Sequence, residues 1–589
     1  MSLVELVLTV VKILIIVMFF LNMAALSTWA DRRQGAMVQD RVGPNRAVVP
    51  LPNMVARGIV LLPPALFGVL SIFTSLGEVT GRLALERTTV NVQLAIFVTW
   101  LSLLVLCAKV RSGGAINRAE RVFEDVDPRS IFFAGLGVHA LGLVAMRFVT
   151  PQGAPMAAKI TGFVLGAIFL IVGFYATSRV PEGPIPLRLA GTLHALADSI
   201  KMIWKEDFIP KNGDKVLHGL APILTVFSAV VVAAVLPFGN DLCFADGNRN
   251  GTLDFSDLGN LVATVPATGQ CTGFRVPLQI ADLNVGILYV FAMTGTGIIG
   301  AAIAGWASDN KFALLGGLRA ASQMVSYEVA MGLSLVGLFL VYSTVRMGEM
   351  SAWQGQHAWG IFVQPVGFFL FLAAVCAETK RVPFDQPEGE SEIVAGYFLE
   401  YSGFKWGMFM TGEYIELVFS SALLVALFFG GYNLPFLHPD GLTVAFGDTV
   451  LFQYKMTHLA VSVISVLAFF GKTILVTWVQ VFFRWTLPRF RYDQLMKLGW
   501  TKLLPLAIAN MMVTAVIVVA LRNAGPAAES WLKLLGDISQ GLVAVLTLAG
   551  TVALVVGLLE PVERHKFLVT SSARFAAALG GVKPTAQEA

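Results

Sequence analysis

Residues Glu378–Glu400 read ETKRVPFDQPEGESEIVAGYFLE, with long apolar segments on either side. Glu378, Asp385, Glu388, Glu390, Glu392 and Glu400 gather here in a chain that is only 14% charged. Carboxylates beside a membrane are costly to hold in one place. This pattern therefore points to a group that binds or relays protons, or that answers to a redox partner that does. A solvated acidic loop is the alternative. Pro383 and Pro387 remove backbone donors and force the preceding residues to extend, so the segment is not one regular helix and a turn over residues 383–389 is predicted. A helix starting near Glu388 would put Glu388 and Glu392 on one face and Glu390 on another. Carboxylates held that close raise one another's pKa, which poises some of them to take up protons.

Outward from this stretch, the composition fixes the class. The chain has 589 residues, 56% of them hydrophobic, and a mean hydropathy of +0.72. Apolar runs long enough to cross a bilayer recur about thirteen times. They lie near 3–29, 58–77, 92–110, 131–149, 159–179, 217–237, 284–306, 321–345, 361–378, 412–430, 456–482, 503–522 and 538–558. The expected fold is an all-α polytopic membrane protein. The net charge of +4 carries no message about nucleic acid. Lys and Arg instead collect in alternate loops, for example Arg32, Arg33, Arg41, Arg46 and Arg57, then Lys201, Lys205, Lys211 and Lys215, and later Arg484, Arg489 and Arg491. That bias predicts an N-terminus outside and a C-terminus in the cytoplasm. The first run is too long for a signal peptide and is followed by Asp31-Arg32-Arg33 rather than a cleavage site, so it is read as a retained helix.

The loop 238–283, predicted to lie outside, holds Cys243 and Cys271. They are a candidate disulfide in an oxidising compartment, with two unpaired thiols as the alternative. The same loop carries Asp246, Asn248, Asn250, Gly251, Thr252, Asp254 and Asp257 in the order D-x-N-x-N-G-x-L-D-x-x-D. This is the pattern of a twelve-residue calcium loop, with oxygen ligands at 1, 3, 5 and 9, a backbone carbonyl at 7 and a carboxylate at 12. Asp in the last place is shorter than the usual Glu. An Asx-rich turn is the alternative, and a bound Ca2+ would be structural.

Other motif matches do not hold. Gly295-Thr296-Gly297-Ile298-Ile299-Gly300 spells a dinucleotide fingerprint, but it lies inside an apolar span without the acidic residue that such a site needs. Small residues for close helix packing explain it better. Gly471-Lys472-Thr473 lacks the leading glycine of a phosphate loop, and the histidines are scattered. No complete active site or redox cofactor is read on this chain. What remains is charge within or beside the spans: Glu328, Glu378, Glu413, Glu416 and Lys472. Each would face a bundle interior, a wet cavity or a partner.

Taken together, several long motifs resemble the H-type membrane subunit family of NADH-quinone oxidoreductase (respiratory complex I). The family's E-R-x-x-x-G-x-x-Q-x-R-x-G-P-N is similar to Asp31 through Asn45, with Asp31 for the leading Glu and the glycine one place early, at Gly35. Leu196-Ala197-Asp198 with Lys201, Lys311 through Arg319, and Ser326-Tyr327-Glu328-Val329 match further motifs. E-T-x-R-x-P-F-D-x-x-E-G-E-S-E is intact from Glu378 to Glu392, and Glu400-Tyr401, Glu413-Tyr414 and residues 488–496 follow in order. The resemblance implies a bundle of this H type, with pseudo-symmetric core helices like those of transporter repeats. It implies a quinone chamber entrance lined or supported by Arg32, Arg41, Asp198, Lys201 and Phe384. It implies an acidic path through Glu206, Glu328, Glu378, Asp385, Glu388, Glu390, Glu392, Glu400 and Glu413, with Arg319 and Arg381 holding or releasing those acids. Quinone would be a substrate at a shared site. The partners would be peripheral quinone-site and iron–sulfur subunits, an antiporter-like membrane arm and the bilayer of a bacterial inner membrane.

One departure is large. In the family the G-P-N motif runs almost directly into the L-A-D segment, whereas here residues 58–180 intervene with about four extra spans. The expected organisation is 1–57 first helix and quinone motif, 58–180 inserted helices, and 181–237 amphipathic segment and core helix. The outside loop 238–283, the core bundle 284–560 with its acidic loop, and a cytoplasmic tail 561–589 follow. The ion-coupling subunit of a related membrane-bound hydrogenase, a free-standing ion transporter and a structural anchor are the alternatives. Long inside loops suited to receiving a soluble arm argue against the transporter.

Overall fold

The computed structural model describes residues 3–39, 191–245, 273–389, 393–446, 449–523 and 536–546, with isolated residues and short pieces elsewhere. The expected spans between 58 and 179, the tail 561–589 and the residues Arg41, Asp246, Asn248, Asn250, Thr252, Glu390 and Glu392 lie outside the described residues. The chain divides into two units, residues 1–41 with 195–548, and residues 42–194 with 549–589. In the second unit the described elements are two short antiparallel strands, β1 (Val49–Leu51) and β2 (Ile185–Leu187).

The first unit is a helical bundle. Its helices include α1 (Leu3–Val38), α2 (Leu193–Trp204), α3 (Lys215–Val231), α4 (Gly286–Ala307), α5 (Lys311–Tyr342), α6 (Met347–Gln356), α7 (Pro365–Glu378), α8 (Gly403–Phe428), α9 (His458–Thr486), α10 (Tyr492–Leu498) and α11 (Leu504–Asn523). Among the described residues seven helices, counting α10 and α11 as one, are long and apolar enough to cross a membrane. Helix α8 is the central column: every residue from Leu417 to Phe428 is buried. It packs on α1, α3 and α9, while α5 lies against α4, α7 and α11. By contrast α1, α9 and α11 leave Leu6, Leu14, Met18, Leu467, Leu475, Met512 and Val516 exposed, an apolar surface suited to lipid.

Small residues set the close approaches. A methyl group on Gly300 would lie 2.7 Å from Thr225 Oγ1 of α3, and one on Gly305 would lie 2.6 Å from the Ala313 carbonyl of α5. The glycine pattern at 295–300 therefore serves helix packing. Lys472 of α9 also has a structural explanation. Its ammonium donates to the carbonyls of Phe429 (2.8 Å), Gly431 (3.1 Å) and Asn433 (2.5 Å). It thus satisfies orphan acceptors at and just beyond the C-terminus of α8, where a cation also meets the helix dipole favourably.

The expectation of a purely α fold needs correction in the loops. Strands β3 (Leu242–Phe244) and β4 (Phe274–Val276) pair antiparallel, and β5 (Leu437–His438), β6 (Gly441–Phe446) and β7 (Thr449–Lys455) form a three-stranded sheet between α8 and α9. The runs LTVAF and TVLFQYK are rich in β-branched and aromatic residues, and pairing satisfies backbone groups that a coil would leave open.

Candidate functional site

The acidic stretch begins where α7 ends. Glu378 is the last residue of that helix and is 5% exposed. Among the described residues neither of its carboxyl oxygens meets a hydrogen-bond partner. Its charged neighbours are Glu416 of α8, Glu328 of α5 and Lys380. Lys380 follows α7 with a left-handed backbone (φ 53°), is buried, and holds its Nζ 3.4 Å from Glu416 Oε2. Burial disfavours the Lys380 charge, but Glu416, Glu413 and Glu378 outweigh it and keep the ammonium above its ordinary range. Glu413, one turn before Glu416 on α8, is buried and accepts from the Tyr397 hydroxyl at 2.8 Å. Glu328 faces Thr294 and Gly295 of α4.

The loop after Lys380 runs in turns through residue 389; Ile393 is then helical, its N–H donating to the Gly389 carbonyl at 2.9 Å. It is clasped by the segment before α10. Arg489 donates to the Asp385 carbonyl at 2.7 Å, Phe490 N–H donates to the Pro383 carbonyl at 3.1 Å, and the Gln386 amide donates to the Phe490 carbonyl. From the other side the buried Gln323 amide donates to the carbonyls of Ala377 and Phe384, both at 2.7 Å. Phe384 is buried, with ring centroids 5.6 Å from both Tyr327 and Phe490. Burial pushes the Asp385 carboxyl up to about 6; Arg489, Arg484 and Arg381 pull it back, and Glu413 adds to the rise. Burial also raises Glu388, helped by Glu413 and Asp385 and opposed by Arg381 and Arg484. Such neighbours titrate as a group.

A second hub joins this loop to α1. Asp31 pairs with Arg484, accepts from Trp485 Nε1 at 2.8 Å and from the Tyr414 hydroxyl at 3.0 Å, and lies 3.8 Å from Arg381. The Arg381 guanidinium stacks over the Tyr414 ring at 4.1 Å. Gly35, one turn past Asp31, makes room for this: a methyl group there would lie 2.5 Å from the Trp485 ring. Among the chamber residues, Arg32 and Asp198 are ion-paired at 2.6 Å, while Lys201 is exposed on α2. Glu206 is exposed in the loop after α2, beside Asp207, which pairs with Lys405 at 2.9 Å. Glu400 accepts from Asn310 at 2.7 Å. Arg319 lies over the Tyr492 ring at 5.6 Å. Cys243 and Cys271 are disulfide-bonded, and the Asp254 N–H donates to Asp257 Oδ2 at 3.1 Å.

Of the residues singled out from the sequence, the structure gathers Glu328, Glu378, Asp385, Glu388, Glu413 and Arg381 at this site. It adds Lys380, Tyr397 and the Asp31–Arg484–Trp485 group, which sequence reasoning does not place in the path, and draws in Glu416, which that reasoning leaves undecided. Lys380 fills a position the E-T-x-R pattern leaves open, so no motif marks it. A membrane protein with coupled buried acids and few counter-cations is the class this arrangement defines.

A family model described as NADH dehydrogenase matches residues 174–515. An H-type subunit of NADH-quinone oxidoreductase from Cytophaga hutchinsonii is 37% identical over 363 residues, 61% of this chain and 94% of that protein. The H-type subunit of the Flavobacterium psychrophilum enzyme is 40% identical over 337 residues, 57% and 86% of the two chains. That of Bacillus cytotoxicus is 37% identical over 398 residues, 68% and 98%. The chain belongs to the NADH dehydrogenase family.

Proposed function

We propose that this chain forms the quinone chamber entrance of an NADH-quinone oxidoreductase and couples quinone reduction there to proton translocation. It is the H-type membrane subunit of that complex, and the other complex I subunits are its partners. The reading rests above all on the convergence of Glu378, Glu413, Glu416, Asp385 and Glu388 on Lys380 and Arg381, where α7, α8 and the turn between them meet. Reduction of quinone demands protons. The demand redistributes protons among the coupled acids, and the loop 380–389 passes the change to the membrane arm. Arg32, Asp198, Lys201 and Phe384 support the chamber. Neighbouring subunits supply the iron–sulfur cluster and the remaining headgroup ligands. About thirteen spans, an outside N-terminus and a cytoplasmic C-terminus complete the topology in a bacterial inner membrane.

Arg381→Ala tests this reading. The stacked guanidinium is lost beside Tyr414 and Asp31, and the assembled complex should lose turnover or pumping. Pumping at the full proton-to-electron ratio would count against it. In the 238–283 loop, the order of oxygen ligands from Asp246 to Asp257 supports a structural Ca2+ site. Asp246→Ala should abolish calcium-dependent protease resistance of that loop and leave turnover intact; a large loss of turnover would reject a purely structural role.

A further inference from the structure

Lys380 is a buried cation with Glu416, Glu413 and Glu378 around it. Its side chain is 1% exposed and its ammonium is 3.4 Å from Glu416 Oε2. Two residues back in the chain, Glu378 is buried with no hydrogen-bond partner for either carboxyl oxygen among the described residues. A left-handed backbone at a residue with a side chain is uncommon, so the turn that buries Lys380 is held against a local cost. The groups facing this pair are Glu413 from α8, Glu378 from α7, Glu328 from α5 and Arg381 from the loop. Two carboxyls and one ammonium can carry the same total charge in two ways. Either Glu416 is ionised against Lys380 and Glu378 holds a proton, or Glu378 is ionised against Lys380 and Glu416 holds it.

We propose that Lys380 is a proton relay between Glu378 and Glu416, its flexible stem carrying the nitrogen from one carboxyl to the other. In one step an N–H bond of the ammonium breaks and an O–H bond forms on Glu416. In the next an O–H bond of Glu378 breaks and the N–H bond re-forms. One proton passes from Glu378 to Glu416, no electron changes hands, and the total charge of the three groups is the same before and after. Uncompensated charge is thus kept out of a low-dielectric interior. Lysine suits the task because an ammonium can be deprotonated, here against the hold of the acids around it, whereas a guanidinium cannot. The relay rests on the reading that these acids carry coupled protons.

The test uses the assembled complex in sealed vesicles, with NADH-driven quinone reduction and proton uptake read together. Lys380→Arg keeps the charge beside Glu416 but cannot relay. The double variant Lys380→Met with Glu416→Gln removes both charges and leaves neither partner orphaned. Both should lose coupled turnover by about a hundredfold, within the range of a lost proton-transfer group. Wild-type turnover and pumping in either variant would overturn the relay. Infrared difference spectra of the unsubstituted complex on quinone reduction should show a change in a carboxylic acid C=O band that Glu416→Gln removes; its absence would also overturn the relay. Glu378→Gln separates the two levels. Normal pumping there sinks the proton-coupling reading itself, whereas an inactive Glu378→Gln beside a normal Lys380→Arg sinks the relay alone.

Discussion

Asp385→Asn should make the complex more stable and less active at the same time. The Asp385 carboxyl is pushed from its ordinary 3.8 to about 6, first by burial, with Arg489, Arg484 and Arg381 opposing. Arg489 donates to the Asp385 carbonyl, and the carboxyl Oδ1 meets no partner among the described residues. The displacement corresponds to about 3 kcal/mol, at about 1.4 kcal/mol per tenfold change in proton affinity. Because the folded-state value is raised, the native state binds more protons than the unfolded chain between about pH 4 and 6. That stability is complete below about pH 4 and is lost as pH rises through about 6. Asparagine resembles the protonated acid and does not titrate. It should therefore match wild type near pH 4 and exceed it by up to about 3 kcal/mol at pH 7.5. The assay is the thermal dissociation midpoint of the solubilised complex across this pH range, with quinone reductase activity measured beside it. A variant less stable than wild type at pH 7.5, or a gap that does not widen with pH, would show that burial of the ionised Asp385 is not a cost to the fold.

Three further outcomes follow from particular contacts. Gly35→Ala puts a methyl group 2.5 Å from the Trp485 ring; it should cost about 1–3 kcal/mol and lower the amount of assembled complex on native gels. Lys472→Met leaves the carbonyls of Phe429, Gly431 and Asn433 without their ammonium donor. It should destabilise by about 1–3 kcal/mol in a thermal melt and leave the proton-to-electron ratio of surviving complex unchanged. Cys243→Ser with Cys271→Ser opens a closure of 28 residues; a loss of about 2–4 kcal/mol is expected, visible as faster proteolysis of the 238–283 loop.

The apolar runs and acidic motifs were legible because hydrophobic length and clustered charge are local properties of a sequence. Helix ends were less so. The run at 361–378 is helical over Gly360–Val363, breaks at Gln364, whose side chain donates to Thr514 at 2.8 Å and accepts from Asn510 at 3.0 Å, and resumes at Pro365. The expected span at 412–430 begins earlier, at Gly403, whose positive φ of 56° turns the chain into α8. Partners distant in sequence were not legible at all. Asp31 and Arg484 stand 453 residues apart and Lys380 and Glu416 stand 36 apart, so no periodicity links them. Lys472 reads as an expensive intramembrane charge until the carbonyls around it are seen. The short strands were hidden because a two- to seven-residue pairing leaves little pattern beside runs of membrane length.

If the buried acids carry the protons that quinone reduction calls for, neutralising one of them must stop the coupling. Proton uptake per electron in sealed vesicles, wild type against Glu378→Gln, tests it most directly. The variant complex should assemble and lose quinone reduction and proton uptake together. Normal activity at the full proton-to-electron ratio would contradict it and leave the acidic loop a part of the architecture.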